Sequence, residues 1–484
     1  MRPLTLRDLQ VSCAAVLLAL SGCATVPPSL PQAPEARGLP IASPLKTMTS
    51  ATGLTVVADA GAPGQFTAGL LFRGGPINDP PDLPGLTEWI ADAALLGTQG
   101  RDPATESPHQ RALAMGGSVE AVATGALVGW LVAGPPERSE ELLELLFEVA
   151  LRPSFPATRV SMAVTRNRDG IDARGDALIE RAIAIALGQA VGLGRPLYMG
   201  PTRGMFERVT LAHTERHWRG VVQPHHGVLV HLGAPAPSEA TLAKLERDWS
   251  ASPGQPVATP ELCAPQGRSA HLMVTPGSFG EHTIALWGSR APGLGSLERR
   301  DADALIKHLD SRAGGPIERL VGASQARRSS PDIIDLGHIR GRPIAAVLVG
   351  AAGPPERAME DLDRLDQFLS GLSNARAIED ADAAQAYQRL QGGQRLRLHR
   401  PFHNALQRAF EAFGEVNGGP TSAGDLRGAA AEIFAPWRSS LVLIGSMDLR
   451  ERLAERAEVA IWSQEEDTAP PEGRVRCVPQ KGAP

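Results

Sequence analysis

The chain holds four cysteines, two tyrosines and four lysines in 484 residues, and its aromatic content is only 4%. So few cysteines exclude a disulfide-knit scaffold. An excess of charge is also missing: Lys+Arg 48 and Asp+Glu 53 leave a net of -5, with no basic stripe to grip a phosphate backbone, which sets nucleic acid aside. The chain has no G-x-S-x-G elbow and no Gly-rich phosphate loop between a strand and a helix. What is there is 43% hydrophobic and 21% charged, in a length that allows three or four domains at roughly 100 to 200 residues each. That is the composition of a globular body.

The first 23 residues have the order of an export signal. Arg2 and Arg7 precede the apolar run Val11 to Leu20, which is too short for a bilayer-spanning helix of about 20 residues, and small residues lead to Cys23. Leu20-Ser-Gly-Cys23 resembles the bacterial lipobox, which implies cleavage after residue 22 and acylation of Cys23. Ala24, not Asp, follows the cysteine, and by the same resemblance the anchored protein belongs in the outer membrane, facing the periplasm. Several acyl chains hold a protein to a membrane where one does not. Residues 23–45, with six prolines after the cysteine, read as an extended tether.

Beyond the tether the chain repeats itself. The strand-like run Gln65 to Phe72 and the helical stretch Gly85 to Leu96 return, at an offset of about 216, as His282 to Trp287 and Asp301 to Leu309. Val228 to Gly233, followed by a helix and Trp249, returns as Ser440 to Gly445 with Trp462, at offsets of 212 and 213. Short apolar runs ending at glycine are strands, and Ser139 to Leu151 and Ala358 to Leu369 have helical spacing. The expectation is an α+β protein of two homologous halves, 46–263 and 264–477, with a tail at 478–484. The Pro/Gly-rich segment Ser252 to Arg268 would link the halves.

The segment Phe72-Arg-Gly-Gly-Pro-Ile-Asn-Asp-Pro-Pro-Asp-Leu-Pro-Gly85-Leu-Thr-Glu88-Trp-Ile-Ala91-Asp92, closed by Gly97-Thr98, resembles the signature region of the pitrilysin/insulinase metallopeptidases. Met115 to Thr124, Glu140 to Phe147, Arg152 to Pro156 and Gly194 to Pro201 follow in that family's usual order. The resemblance implies halves that close like a clam around a chamber, and zinc held by H-x-x-E-H. In that motif two His at i and i+4 bind the metal and the Glu activates its water. Here Glu88 stands for the first His, Ala91 for the Glu and Asp92 for the second His. The third ligand of the family is a Glu some 70 to 80 residues downstream; the chain has no Glu between Glu148 and Glu180, although Asp169 falls in that window. No catalytic residue, metal ligand or cofactor is therefore expected. Carboxylates at 88, 92 and 169 leave three outcomes open: a hard cation such as Mg²⁺ or Ca²⁺, a salt bridge to Arg166 or Arg168 on a facing helix, or solvent. The substrate-gripping Arg and Tyr of the family's paired subunits correspond to a stretch with Arg327 and Arg328 but no tyrosine.

Other histidines carry less. His213 and His217 have metal-ligand spacing, but Glu215 at i+2 points away, and by family position their helix is peripheral. His399 and His403 flank Pro401, where a helix would begin. Gly392-Gly393 and Gly418-Gly419 read as helix ends. After signal removal and acylation, Cys263 and Cys477 remain, 14 and 15 residues beyond Trp249 and Trp462. As repeat equivalents in an oxidising compartment they are expected to form a disulfide. The functional expectation is a non-catalytic, lipid-anchored scaffold or substrate-presenting partner of a zinc-bearing relative. The alternatives are a metallopeptidase with an altered metal site and a peptide-binding protein that does not cleave.

Overall fold

In a computed structural model of the chain, the described residues are 46–50, 52–60, 65–172, 177–193, 195–250, 260, 262, 269–274, 283–293, 297–309, 316, 327–339, 342–353, 360, 364–365, 367–372, 374, 378–398, 401–412, 422–434, 439–445 and 459–463. The first sheet has strands β1 (Lys46–Thr49), β2 (Thr55–Asp59), β3 (Phe66–Arg73), β4 (Ser118–Ala123), β5 (Leu127–Gly134) and β6 (Gly227–Leu232). The second has β7 (Ser269–Val274), β8 (Thr283–Pro292), β9 (Arg327–Ile339), β10 (Arg342–Gly353), β11 (Ser439–Gly445) and β12 (Val459–Ser463). The helices are α1 (Leu86–Ala94), α2 (Pro108–Ala114), α3 (Ser139–Leu151), α4 (Ala157–Asp172), α5 (Ala177–Ala190), α6 (Arg203–Arg208), α7 (Leu211–Val221) and α8 (Glu239–Ser250) in the first half. In the second they are α9 (Leu297–Leu309), α10 (Asp380–Leu398), α11 (Pro401–Ala412) and α12 (Ala423–Ile433).

The sheets bear out the duplication. Their orders are β1-β2-β6-β3-β5-β4 and β12-β7-β11-β8-β10-β9. In each, five equivalent strands run in the same sense: one parallel pair (β2 with β6, β7 with β11), then three antiparallel steps. Only the sixth strand differs, since β1 lies antiparallel to β2 and β12 parallel to β7. The α+β class with two like halves is the architecture found.

The central strands are apolar on both faces because both faces are covered. Side chains alternate across a strand, so Leu70 and Leu71 point opposite ways. Leu70, Val56 and Leu229 join the core under α1, α3, α7 and α8 of their own half. Leu71, Val57, Val228 and Val230 lie instead against Ala405, Leu406 and Ala409 of α11, a helix of the other half. The exchange is reciprocal: Ile179, Ala182 and Ile185 of α5 pack on Leu286 and Val442 of the second sheet. That sheet's remaining face holds Trp287, Val347 and Val349 under α9, α10 and α12.

Two local expectations are corrected. Gly392-Gly393 does not end a helix; α10 runs through both to Leu398. Trp249 lies on α8, whereas Trp462 lies on strand β12, so the two are not equivalent. α11 does begin at Pro401, where proline's missing N–H costs nothing. Gly418-Gly419, His399, most of the linker, Cys23, Cys263 and Cys477 lie outside the described residues.

Candidate functional site

Glu88, Ala91 and Asp92 sit where the sheet hands over to its first helix. β3 ends at Arg73, a 3₁₀ turn covers Pro76–Asn78, and α1 starts after Gly85 in the left-handed region (φ 87). A Cβ at Gly85 would lie 2.2 Å from the backbone of Pro201, so only glycine fits there. Being glycine, this N-cap brings no side chain to the helix's free N–H groups. Asp79, six residues upstream, does that work: its carboxylate accepts from Gly85 N at 2.7 Å, Thr87 N at 2.8 Å and Thr87 Oγ1 at 2.6 Å.

With its hydrogen directed to Asp79, the Thr87 hydroxyl accepts from His217 Nε2 at 2.9 Å. All three side chains are buried, at 4%, 3% and 6% exposure for Asp79, Thr87 and His217. Burial pushes the Asp79 carboxyl up to about 7, against the opposing pull of its hydrogen bonds and of Arg195. It pushes His217 down to about 4, so the imidazole is neutral and its 3.7 Å approach to Asp79 is no ion pair at neutral pH. The set resembles a hydrolase triad in composition only; with its hydroxyl buried and turned to a carboxylate it caps α1 and ties it to α7. The helix of His213 and His217 is thus not peripheral, because α7 packs directly on α1.

Glu88 and Asp92 lie four residues apart on the half-buried side of α1, while Ala91 is in the core and its carbonyl accepts from Trp130 Nε1 at 2.9 Å. Glu88 reaches toward Gly200, where an added Cβ would lie 3.1 Å from Oε2. Asp92 acts electrostatically on His109, whose pKa burial lowers and Asp92 partly restores. The third carboxylate does not join them: Asp169, on α4, has a side chain 64% exposed beside Arg168 at 3.6 Å. α1 packs on α7, β4 and β5. Two carboxylates with a buried alanine between them do not fit zinc, which wants nitrogen or sulfur donors and a base. Among the described residues, no three His, Cys, Asp or Glu gather as a ligand set. A cavity of about 10 Å³, room for about one water, lies beside Glu88 with Pro76, Asp79, Thr87, Ala123 and Thr124 in its walls.

The second half carries a counterpart that the offset of 216 misses. Helix starts Leu86 and Leu297 set the shift at 211, and then Ala91-Asp92-Ala93 matches Ala302-Asp303-Ala304, with Arg299 at the place of Glu88. Arg299 is buried and forks onto Asp335 of β9 (2.5 and 3.1 Å) while its Nε holds Asp303 at 3.0 Å. The two carboxylates raise its pKa despite burial.

No protein-family model and no curated protein sequence matches the chain. Among similar solved structures is a protease from Helicobacter pylori: 14% identity, TM-score 0.61, covering 83% of this chain and 99% of that one. Another is a peptidase M16 inactive domain from Pseudomonas fluorescens: 16% identity, TM-score 0.61, covering 83% of this chain and 98% of that one. At these identities the likeness is one of fold, and the fold is that of M16, pitrilysin-like peptidases.

Proposed function

We propose that the chain is a non-catalytic member of the insulinase-like peptidases, acting as scaffold or substrate-presenting partner for a zinc-bearing relative in the periplasm. The observation that carries the reading is the chemistry of residues 88, 91 and 92. Catalysis of that type needs two imidazoles and a base on one helix face. Here stand two carboxylates and a core alanine whose carbonyl is engaged by Trp130. One structural neighbour, a peptidase M16 inactive domain, supports the same reading.

Metal analysis of the purified chain should find no stoichiometric zinc, and unstructured peptides should survive incubation with it. The triple change Glu88→His, Ala91→Glu and Asp92→His should not restore hydrolysis, because the family's downstream Glu ligand is also missing. One zinc per chain with chelator-sensitive cleavage, lost in Glu88→Ala, would overturn the reading in favour of an altered metallopeptidase.

The anchor belongs to the same proposal. Acylation at Cys23 would hold the body to the outer membrane through residues 24–45. Cys23→Ser should move the protein into the soluble periplasmic fraction, and capture of the native form from detergent-solubilised membranes should bring an H-x-x-E-H protein with it. A Cys23→Ser form that stays membrane-bound refutes the anchor, and capture of no such relative counts against the partnership.

A further inference from the structure

We infer that residues 195–201, between α5 and α6, form a strap that narrows the cavity beside Glu88 from within the first half, with Arg195 as its clasp. Pro196 and Pro201 keep this segment from continuing either helix. Its near end is fixed to α5. Leu197 N donates to Ala184 O at 2.7 Å, and the fully buried Leu197 side chain belongs to one cluster with Leu187 and Val191. A Cβ at Gly188 would lie 1.9 Å from Arg195 O, so α5 admits the strap only because a glycine stands there. The far end is fixed by Thr202, whose Oγ1 caps α6 by accepting from Met205 N at 3.1 Å.

Between these anchors the strap lies on the start of α1. Pro201 meets Gly85, Gly200 lies against the Glu88 carboxylate, and Met199 is one wall of the cavity. The clasp is polar: Arg195 Nη2 donates to Asp79 O at 3.1 Å, and its charge acts on the Asp79 carboxyl. Asp79 therefore joins strap to helix, its carbonyl held by Arg195 and its carboxylate by Gly85 N and Thr87 N. The other walls belong to the 3₁₀ turn, the capped start of α1 and the end of β4, whereas residues 198–201 are half-buried and belong to no helix or strand. Segments without such ladders open first, so the strap is the wall that moves. While it is seated, the space beside Glu88 takes about one water, and a larger group enters there only when Met199 and Gly200 lift. This inference is independent of the non-catalytic reading, since a strap can cover an active or an inactive site.

Amide hydrogen exchange on the full chain tests it. Arg195→Gln removes a hydrogen bond from a charged donor, so exchange across residues 77–88 and 197–200 should rise by about tenfold or more while residues 142–149 of α3 stay as in the wild type. Gly428→Ala, where an added Cβ meets nothing within 4 Å, should leave all three segments unchanged. The strap is refuted if Arg195→Gln folds with unaltered exchange in 77–88 and 197–200, or if exchange in 142–149 rises by as much as theirs, which marks a general loss of stability. Should Arg195→Gln not fold, Met199→Ala, which removes one wall and leaves both anchors in place, is read the same way: a rise confined to 77–88 and 197–200 supports the strap, and no change overturns it.

Discussion

Asp79 and His217 share one hydroxyl, and their displaced pKa values have opposite consequences for stability. The folded Asp79 keeps its proton up to about pH 7, whereas the unfolded chain gives it up near 3.8. This group's contribution is complete below 3.8 and is lost as pH rises toward 7. His217 stays neutral down to about 4 in the folded state and takes a proton near 6.5 when unfolded, so its contribution is complete above 6.5 and is lost as pH falls toward 4. Difference measurements separate the two from the other titrating groups. Relative to wild type, Asp79→Asn should gain stability as pH rises from about 4 to 7 and then level off. His217→Gln should lose stability relative to wild type as pH rises from about 4 to 6.5. Urea midpoints across pH 4 to 8 read both, and a flat difference for Asp79→Asn would mean the folded carboxyl titrates at its ordinary value.

At the scale of elements, legibility follows the range of the forces that shape each one. α3 spans Ser139–Leu151 as its leucine spacing implies, and β3, β6 and β11 fall on the apolar runs that end near glycine, since those signals are local. Gly392-Gly393 misled because intrinsic propensity is weak beside tertiary packing, and α10 is held by α9, α11 and α12. Trp462 misled because a tryptophan at matching distance is not a matching element. The absence of imidazoles at Glu88, Ala91 and Asp92 was legible because it is a matter of residue type. The cap formed with Asp79 was not, for Thr87 and His217 are 130 positions apart and only the packing of α7 on α1 joins them. The buried Arg299 cluster was within reach: an offset of 211 shows Ala-Asp-Ala in both halves. A comparison starting from the strands overshoots it because the first half's strand-to-helix loop is longer.

For the molecule as a whole, the exchange of α5 and α11 makes each half a condition of the other. Without α11 the first sheet would present Val57, Leu71, Leu131, Val228 and Val230 to water. Without α5 the second would present Leu286 and Val442. At about 25 cal/mol per Å² of apolar surface, an uncovered sheet face forfeits several kcal/mol, comparable with the total stability of about 5 to 15 kcal/mol of an ordinary domain. Helix α5 alone would be no better off, since an isolated helix of its length is marginal in water. The two halves should therefore unfold in one transition, and 46–262 expressed by itself should bind a hydrophobic dye and lack a cooperative melt. Expressing 263–484 alongside it should restore both halves as one soluble complex, because the exchanged helices need no covalent link to find their sheets. A monomeric, cooperatively melting 46–262 fragment would show that the exchange decorates two self-sufficient domains rather than completing them.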